Sequence, residues 1–185
     1  MASGATIYKA ELQIADMDRH YYQNHSVTIA CHPSETNERM MVRVLAFVLY
    51  AHEHLTFGRG LSAQDEPDLW QKDLTGAIDL WIDVGQPDER DIRRACNRAK
   101  QVIVISYGGR GVDLWWSQHR DKLDRLNNLT VLAIPLASTQ ALVRLADRSM
   151  LLQCNIQESR VTVIGGSELV EIEPVLLKTA TPLKA

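Results

Sequence analysis

Apolar and polar residues alternate over residues 6–16, where Ile7, Lys9, Leu12 and Ile14 mark the pattern, and this period of two predicts a strand. Residues 27–31 predict its partner, with the turn inside the polar tract 16–26. His32-Pro33-Ser34-Glu35 reads as a helix start with Ser34 as N-cap. The helix is expected over residues 35–55, its apolar face built by Met41, Val44, Leu45, Val48 and Leu49. A short strand follows over 56–61, then a polar loop over 62–66. Two further strands flank a turn at Thr75-Gly76. Pro87 suits a first helical turn and opens a helix through Ile92, Ala95, Cys96 and Ala99. Residues 102–106 are an unbroken apolar run of strand length, as in a parallel strand buried on both faces. A helix over 112–126, a strand over 129–134, a short helix over 139–147 and strand pairs over 150–171 complete the pattern. The centre therefore reads helix, strand, strand, strand, helix, strand. This is an α/β (α+β) chain with a mixed β-sheet, framed by an N-terminal β-hairpin and a C-terminal β extension.

The middle hairpin carries the first chemical signal. A turn centred between Thr75 and Gly76 places Asp68 directly opposite Asp83. Facing residues of an antiparallel pair have Cβ atoms roughly 4.5–5.5 Å apart. Two carboxylates that close repel unless a proton or cation lies between them, so the pair is a candidate divalent-metal site. Solvated carboxylates at an exposed hairpin end satisfy the same spacing.

With 185 residues the chain is long enough for one domain, 1–185, with its own core. A composition of 45% hydrophobic and 23% charged residues is that of an ordinary globular protein. A net charge of −3 argues against a whole-surface grip on nucleic acid and leaves room for a local basic face. No apolar run is long enough to span a bilayer, and MASGATIYKAEL lacks the order of a signal peptide. Three cysteines, Cys31, Cys96 and Cys154, at unrelated spacings read as core thiols, so a reduced, cytoplasmic setting is expected.

Three stretches carry a more specific signal: HPSETNERM at 32–40, EPDLW at 66–70 and GAIDLWIDVGQPDERDIRRAC at 76–96. On these motifs and on the order of elements the chain resembles the bacterial YaeQ family over nearly its whole length. That resemblance implies a restriction-endonuclease-like αβββαβ core, the fold of PD-(D/E)XK nucleases. In the nuclease pattern one Asp starts the second core strand, an acidic-x-Lys triplet sits on the third, and a glutamate of the first helix joins them. Asp68, within Pro67-Asp68, fills the first place, and Asp83 fills the acidic place of Asp83-Val84-Gly85. Gly85 stands where the pattern has the lysine that orients or deprotonates water, and glycine does neither.

Helix direction then selects the remaining candidates. The N-terminal end of the first helix should lie near the acids, which favours Glu38 as third ligand over Glu53, about 22 Å further along the axis. The helix after Asp83 brings Arg90 and Arg94, one turn apart, toward the site as phosphate contacts. Arginine holds phosphate but is a poor base. Lys72 and Lys100 are weaker substitutes, because both lie toward the far end. The expectation is thus Mg²⁺ or Mn²⁺ on Glu38, Asp68 and Asp83, in a phosphodiesterase acting on nucleic acid. The alternative is a non-catalytic module that binds nucleic acid or a protein partner and has lost the lysine. No membrane partner is expected.

Each candidate also has a plainer reading. Glu38 suits the helix dipole. Arg90, Arg93, Arg94 and Arg98 suit a solvated face paired with Asp88, Glu89 and Asp91. Asp79 reads as a structural partner of an arginine. Gly108-Gly109-Arg110-Gly111 matches no nucleotide fingerprint and reads as a loop. His52-Glu53-His54 lacks zinc spacing. Trp70, Trp81, Trp115 and Trp116 read as core or rim aromatics rather than base-stacking platforms.

Overall fold

In the computed structural model, which describes residues 4–62 and 65–181, the chain opens with two eleven-residue strands, β1 (Thr6–Asp16) and β2 (Tyr21–Cys31). They pair antiparallel along their whole length, from Thr6 opposite Cys31 to Asp16 opposite Tyr21. The second strand is thus longer than its apolar residues alone predicted. In its first half only Tyr21 and His25 are half-buried, and both are polar-tipped, so the apolar burial signal is weak there.

The helix that follows, α1 (Asn37–Leu49), starts later and ends earlier than predicted. Thr36, not Ser34, is the N-cap, and its hydroxyl accepts from the Arg39 N–H at 3.1 Å. Ser34 is instead engaged with the His32 ring at 2.7 Å. Leu55 belongs to the strand β3 (Leu55–Phe57). Every residue from Met40 to Val48 is buried, so α1 has no solvated face.

After a 3-10 turn at Gly60–Ser62 come β4 (Leu69–Lys72), β5 (Ile78–Val84), α2 (Glu89–Arg98), β6 (Ala99–Tyr107), α3 (Arg110–Leu123), β7 (Leu129–Ile134) and α4 (Leu136–Val143). The chain then adds β8 (Ser149–Gln157), β9 (Arg160–Gly165), β10 (Glu168–Ile172) and β11 (Val175–Lys178). Residues 1–3, read for a leader, residues 63 and 64 of the polar loop, and residues 182–185 at the end of the span lie outside the described residues.

These strands form two mixed sheets, which with the four α-helices make an α+β architecture among the described residues. One sheet has the order β10-β9-β8-β1-β2, and the other β11-β7-β6-β5-β4-β3. Parallel pairing of β1 with β8 joins the N-terminal hairpin and the C-terminal extension into the first sheet. In the second, β5, β6 and β7 run parallel, whereas β3, β4 and β5 form an antiparallel meander. The sequence pattern did not foresee β11, an edge strand on β7.

The larger core packs α1 and α4 between the sheets, with Leu12, Ile29, Phe47, Ile82 and Ile105 all buried. A second core covers the opposite face of the six-stranded sheet with α2 and α3, through Trp81, Ile92, Val104 and Trp115. β5 therefore sends Leu80, Ile82 and Val84 to one core and Trp81 to the other. β6 is buried on both faces, as its continuous apolar run required. Cys31 and Cys154 are buried free thiols, and burial pushes the Cys154 thiol up to about 12. Among the described residues no helix is long and apolar enough to cross a membrane.

Candidate functional site

The hairpin of β4 and β5 pairs Leu69 with Ile82, Trp70 with Trp81 and Gln71 with Leu80, the register that sets Asp68 across from Asp83. Its turn is fixed by Asp73. One carboxylate oxygen accepts from the Thr75 N–H, the Thr75 hydroxyl and the Ala77 N–H at 2.8, 2.6 and 3.0 Å. Gly76 supplies the left-handed backbone, with φ of 88°. Behind the hairpin, the Gly58 N–H donates to the Asp68 carbonyl at 2.9 Å. A Cβ at position 58 would lie 2.0 Å from the Pro67 carbonyl oxygen, so only glycine lets the Pro67-Asp68 backbone approach.

Asp68 is buried at the mouth of this hairpin, and each of its two oxygens accepts at least one hydrogen bond. The Arg39 Nη2 donates to both, at 2.8 and 3.0 Å, and the Val84 N–H donates to Oδ2 at 2.7 Å. The other arm of the same guanidinium, Nη1, donates to Glu35 Oε1 at 2.9 Å. Arg43, 0% exposed, lies behind it. Its Nη1 donates to both Glu35 oxygens at 3.1 Å and to the Ala30 carbonyl at 3.2 Å. Its Nε stands 3.8 Å from Asp68 Oδ1, and its plane lies over the Phe57 ring at 5.5 Å. Glu35, Arg39, Arg43 and Asp68 thus form a charge-balanced buried cluster. Burial disfavours the Arg39 charge, yet Asp68 and Glu35 together raise its pKa above the ordinary value.

Asp83 lies on the opposite face of β5, beside Trp81, whose indole N–H donates to Oδ2 at 2.9 Å. Burial pushes the Asp83 carboxyl up to about 7; the Trp81 bond opposes the rise, Asp68 adds to it and Arg39 opposes it. Asp68, Asp83 and Arg39 open into one cleft of about 420 Å³, shared with Glu66, Gln86 and Arg94. Gly85 lines it too, with φ of 109° and open space where a side chain would project.

The other sequence candidates fall in different places. Glu38 faces α4, where its Oε1 accepts from the Thr139 hydroxyl at 2.6 Å, and it does not line the cleft. Among the described residues no group of three or more His, Cys, Asp or Glu side chains is arranged to hold a metal ion. Arg94 lines the cleft and pairs with Asp91 at 2.8 Å, whereas Arg90 is exposed on α2 away from it. Neither lysine candidate lines the cleft: Lys100 pairs with Asp79 at 2.6 Å, and Lys72 sits 3.5 Å over the Trp70 ring. Asp79 thus has its structural partner, a lysine rather than the expected arginine. Arg93 pairs with Glu89 at 2.6 Å, in line with a solvated, salt-bridged helix face.

Sequence reasoning passed over Glu35, Arg39 and Arg43. They recur at every fourth residue, one side of a helix. Arg43 is also the single charge within the apolar run of residues 40–50. A charge there must be paired or pay heavily for burial, and that was the available signal.

Comparison with known proteins agrees with the motifs. The family model described as YaeQ protein matches residues 1–174. The chain is 44% identical over 173 residues to the uncharacterized protein YaeQ of Salmonella typhi, covering 94% of this chain and 96% of that one. Against YaeQ of Escherichia coli K12 it is 42% identical over 172 residues, covering 93% and 95%. The crystal structure of the YaeQ protein from Xanthomonas axonopodis pv. citri superposes with a TM-score of 0.92 at 49% identity, over 96% of this chain and 99% of that one. That of the YaeQ protein from Pseudomonas syringae superposes with a TM-score of 0.91 at 35% identity, over 95% and 97%. With this match along nearly its full length, the chain belongs to the YaeQ family.

Proposed function

We propose that this chain is a non-hydrolytic relative of the PD-(D/E)XK nucleases that holds a nucleic-acid strand by its phosphates in the cleft between β5 and α2. The succession α1, β3, β4, β5, α2, β6 supports this reading, in which Asp68 and Asp83 would take the places of the nuclease acids. The observation that carries the reading is the state of those places. Both Asp68 oxygens are taken by Arg39 and the Val84 N–H, and Gly85 leaves open space instead of a lysine. In this reading the cleft retains the two acids of a nuclease site and lacks its lysine.

Arg94 is the phosphate contact in this reading. It lines the cleft, its side chain is 47% exposed and it pairs only with the exposed Asp91 and Asp65 among the described residues. An exposed ion pair is worth about 0–1 kcal/mol, so exchanging a carboxylate for a phosphate costs little. Arginine also matches phosphate geometry through paired N–H donors. Fluorescence anisotropy with labelled single- and double-stranded DNA and RNA tests it. Arg94→Ala is expected to weaken binding uniformly across sequences and to lower the salt slope by about 1. Absence of wild-type binding to every strand at low salt contradicts the reading.

The meeting of Asp68 and Asp83 in one cleft favours a second reading, a Mg²⁺- or Mn²⁺-dependent phosphodiesterase. The ion would take Asp83 and Asp68 as ligands and supply charge neutralisation at phosphate. The donor set does not fit such an ion as it stands, because the Arg39 cation already sits against Asp68 and Glu38 is turned to Thr139. Strand cleavage in the same assays with millimolar Mn²⁺ would establish this reading over the first.

A further inference from the structure

We propose that the Arg39 guanidinium occupies the place of a divalent cation in this cleft, where it bridges Asp68 to the buried Glu35. The group bridges two carboxylates that come from different parts of the chain. Nη1 holds Glu35 Oε1 at 2.9 Å, and Nη2 holds Asp68 at 2.8 and 3.0 Å. Asp83 opens into the same cleft as Arg39 and Asp68. A cation between carboxylates is what their mutual repulsion demands, and here the chain supplies its own.

Two features separate Arg39 from a merely structural arginine. Its side chain is 16% exposed and stands at the cleft wall, while Arg43 behind it is 0% exposed and already balances Glu35 through both oxygens. Loss of Arg39 therefore leaves Asp68 and Asp83 facing a vacated space that opens into the cleft, with Glu35 behind it still held through both oxygens by Arg43. That set has the oxygen chemistry that Mg²⁺ and Mn²⁺ select. With the guanidinium in place, a metal must displace a charge-assisted, doubly hydrogen-bonded group to reach Asp68. The inference concerns metal affinity and holds whether or not the cleft binds nucleic acid.

Mn²⁺ titration, followed by calorimetry and by the electron paramagnetic resonance of free Mn²⁺, tests it on the intact chain. Arg39→Ala and the bulkier Arg39→Gln are expected to bind Mn²⁺ at least about tenfold more tightly than wild type. Adding Asp68→Asn to either should abolish the gain. Arg39→Lys, which restores a positive charge, should bind no better than wild type. Far-UV circular dichroism confirms folding, and the glutamine variant carries the test where the alanine variant unfolds. Wild-type Mn²⁺ binding that Asp68→Asn removes overturns the proposal, since the site would then be open with Arg39 present. A folded Arg39→Gln protein that binds no more tightly than wild type overturns it as well. The wild-type comparison stands even if every Arg39 variant fails to fold.

Discussion

Replacing Asp68 by alanine removes the carboxylate on which the buried cluster closes. In the native chain this carboxylate accepts two bonds from Arg39 and one from the Val84 N–H, and stands 3.8 Å from Arg43 Nε. Deleting one partner of a buried ion pair costs about 3–5 kcal/mol, because the other charge stays in a poorly solvating place. The orphaned Val84 N–H alone costs about 1–3 kcal/mol. The two losses share one carboxylate and do not add, so the expected destabilisation is about 4 kcal/mol. At about 2–4 °C per kcal/mol for a chain of this size, Tm falls by roughly 8–16 °C. Asp68→Asn keeps an acceptor for Val84 and should lose about 1 kcal/mol less. Thermal melts and urea titrations followed by circular dichroism measure both variants. An Asp68→Ala protein within about 1 kcal/mol of wild type would refute the structural role of the cluster.

Asp83 gives the opposite sign. Burial raises its folded pKa to about 7 from the model-peptide value of 3.8, so the ionised form opposes folding at pH above the unfolded value, and the penalty levels off above about 7. Asp83→Asn should therefore stabilise the chain by about 2–4 kcal/mol at pH 8 and by far less at pH 4, read from Tm at the two pH values; equal effects at both contradict the assigned environment. Gly58→Ala meets the Pro67 carbonyl oxygen at 2.0 Å and should cost about 2 kcal/mol or more, since backbone must shift. Gly111→Ala, in α3 with open space around its Cβ, should instead stabilise by about 0.5–1 kcal/mol, and urea midpoints compare the two.

The elements that chemistry depends on were legible because their signals are local. The Asp73-Leu74-Thr75-Gly76 turn was legible, but its own register pairs Lys72 with Ile78, and a bulge between Gln71 and Lys72 shifts the pairing by one so that Asp68 comes across from Asp83. The apolar run of β6 announced a strand buried on both faces. Long-range pairing left weaker traces. β11 is four residues long, and nothing local marks its bond to β7. The union of β1 with β8 depends on the whole chain's topology. At the site, the facing spacing of the two acids pointed to a divalent metal, and the nuclease resemblance pointed the same way, whereas the folded chain puts the Arg39 cation against Asp68. Glu38 was chosen because it lies in the first turn of α1. Helix rotation turns it to Thr139 and puts Arg39 on the cleft side, with Glu35 buried behind it.

In the proposed function the cleft binds a nucleic-acid strand without a metal and without cutting it. The direct measurement is anisotropy of a labelled strand with wild-type protein, in excess EDTA and then in millimolar Mg²⁺ or Mn²⁺, with the strand run on a denaturing gel afterwards. The account predicts saturable binding of similar affinity in both buffers, weakened by Arg94→Ala, and a strand of unchanged length. Binding that appears only with metal, or a shortened strand that Asp83→Ala leaves intact, would contradict it.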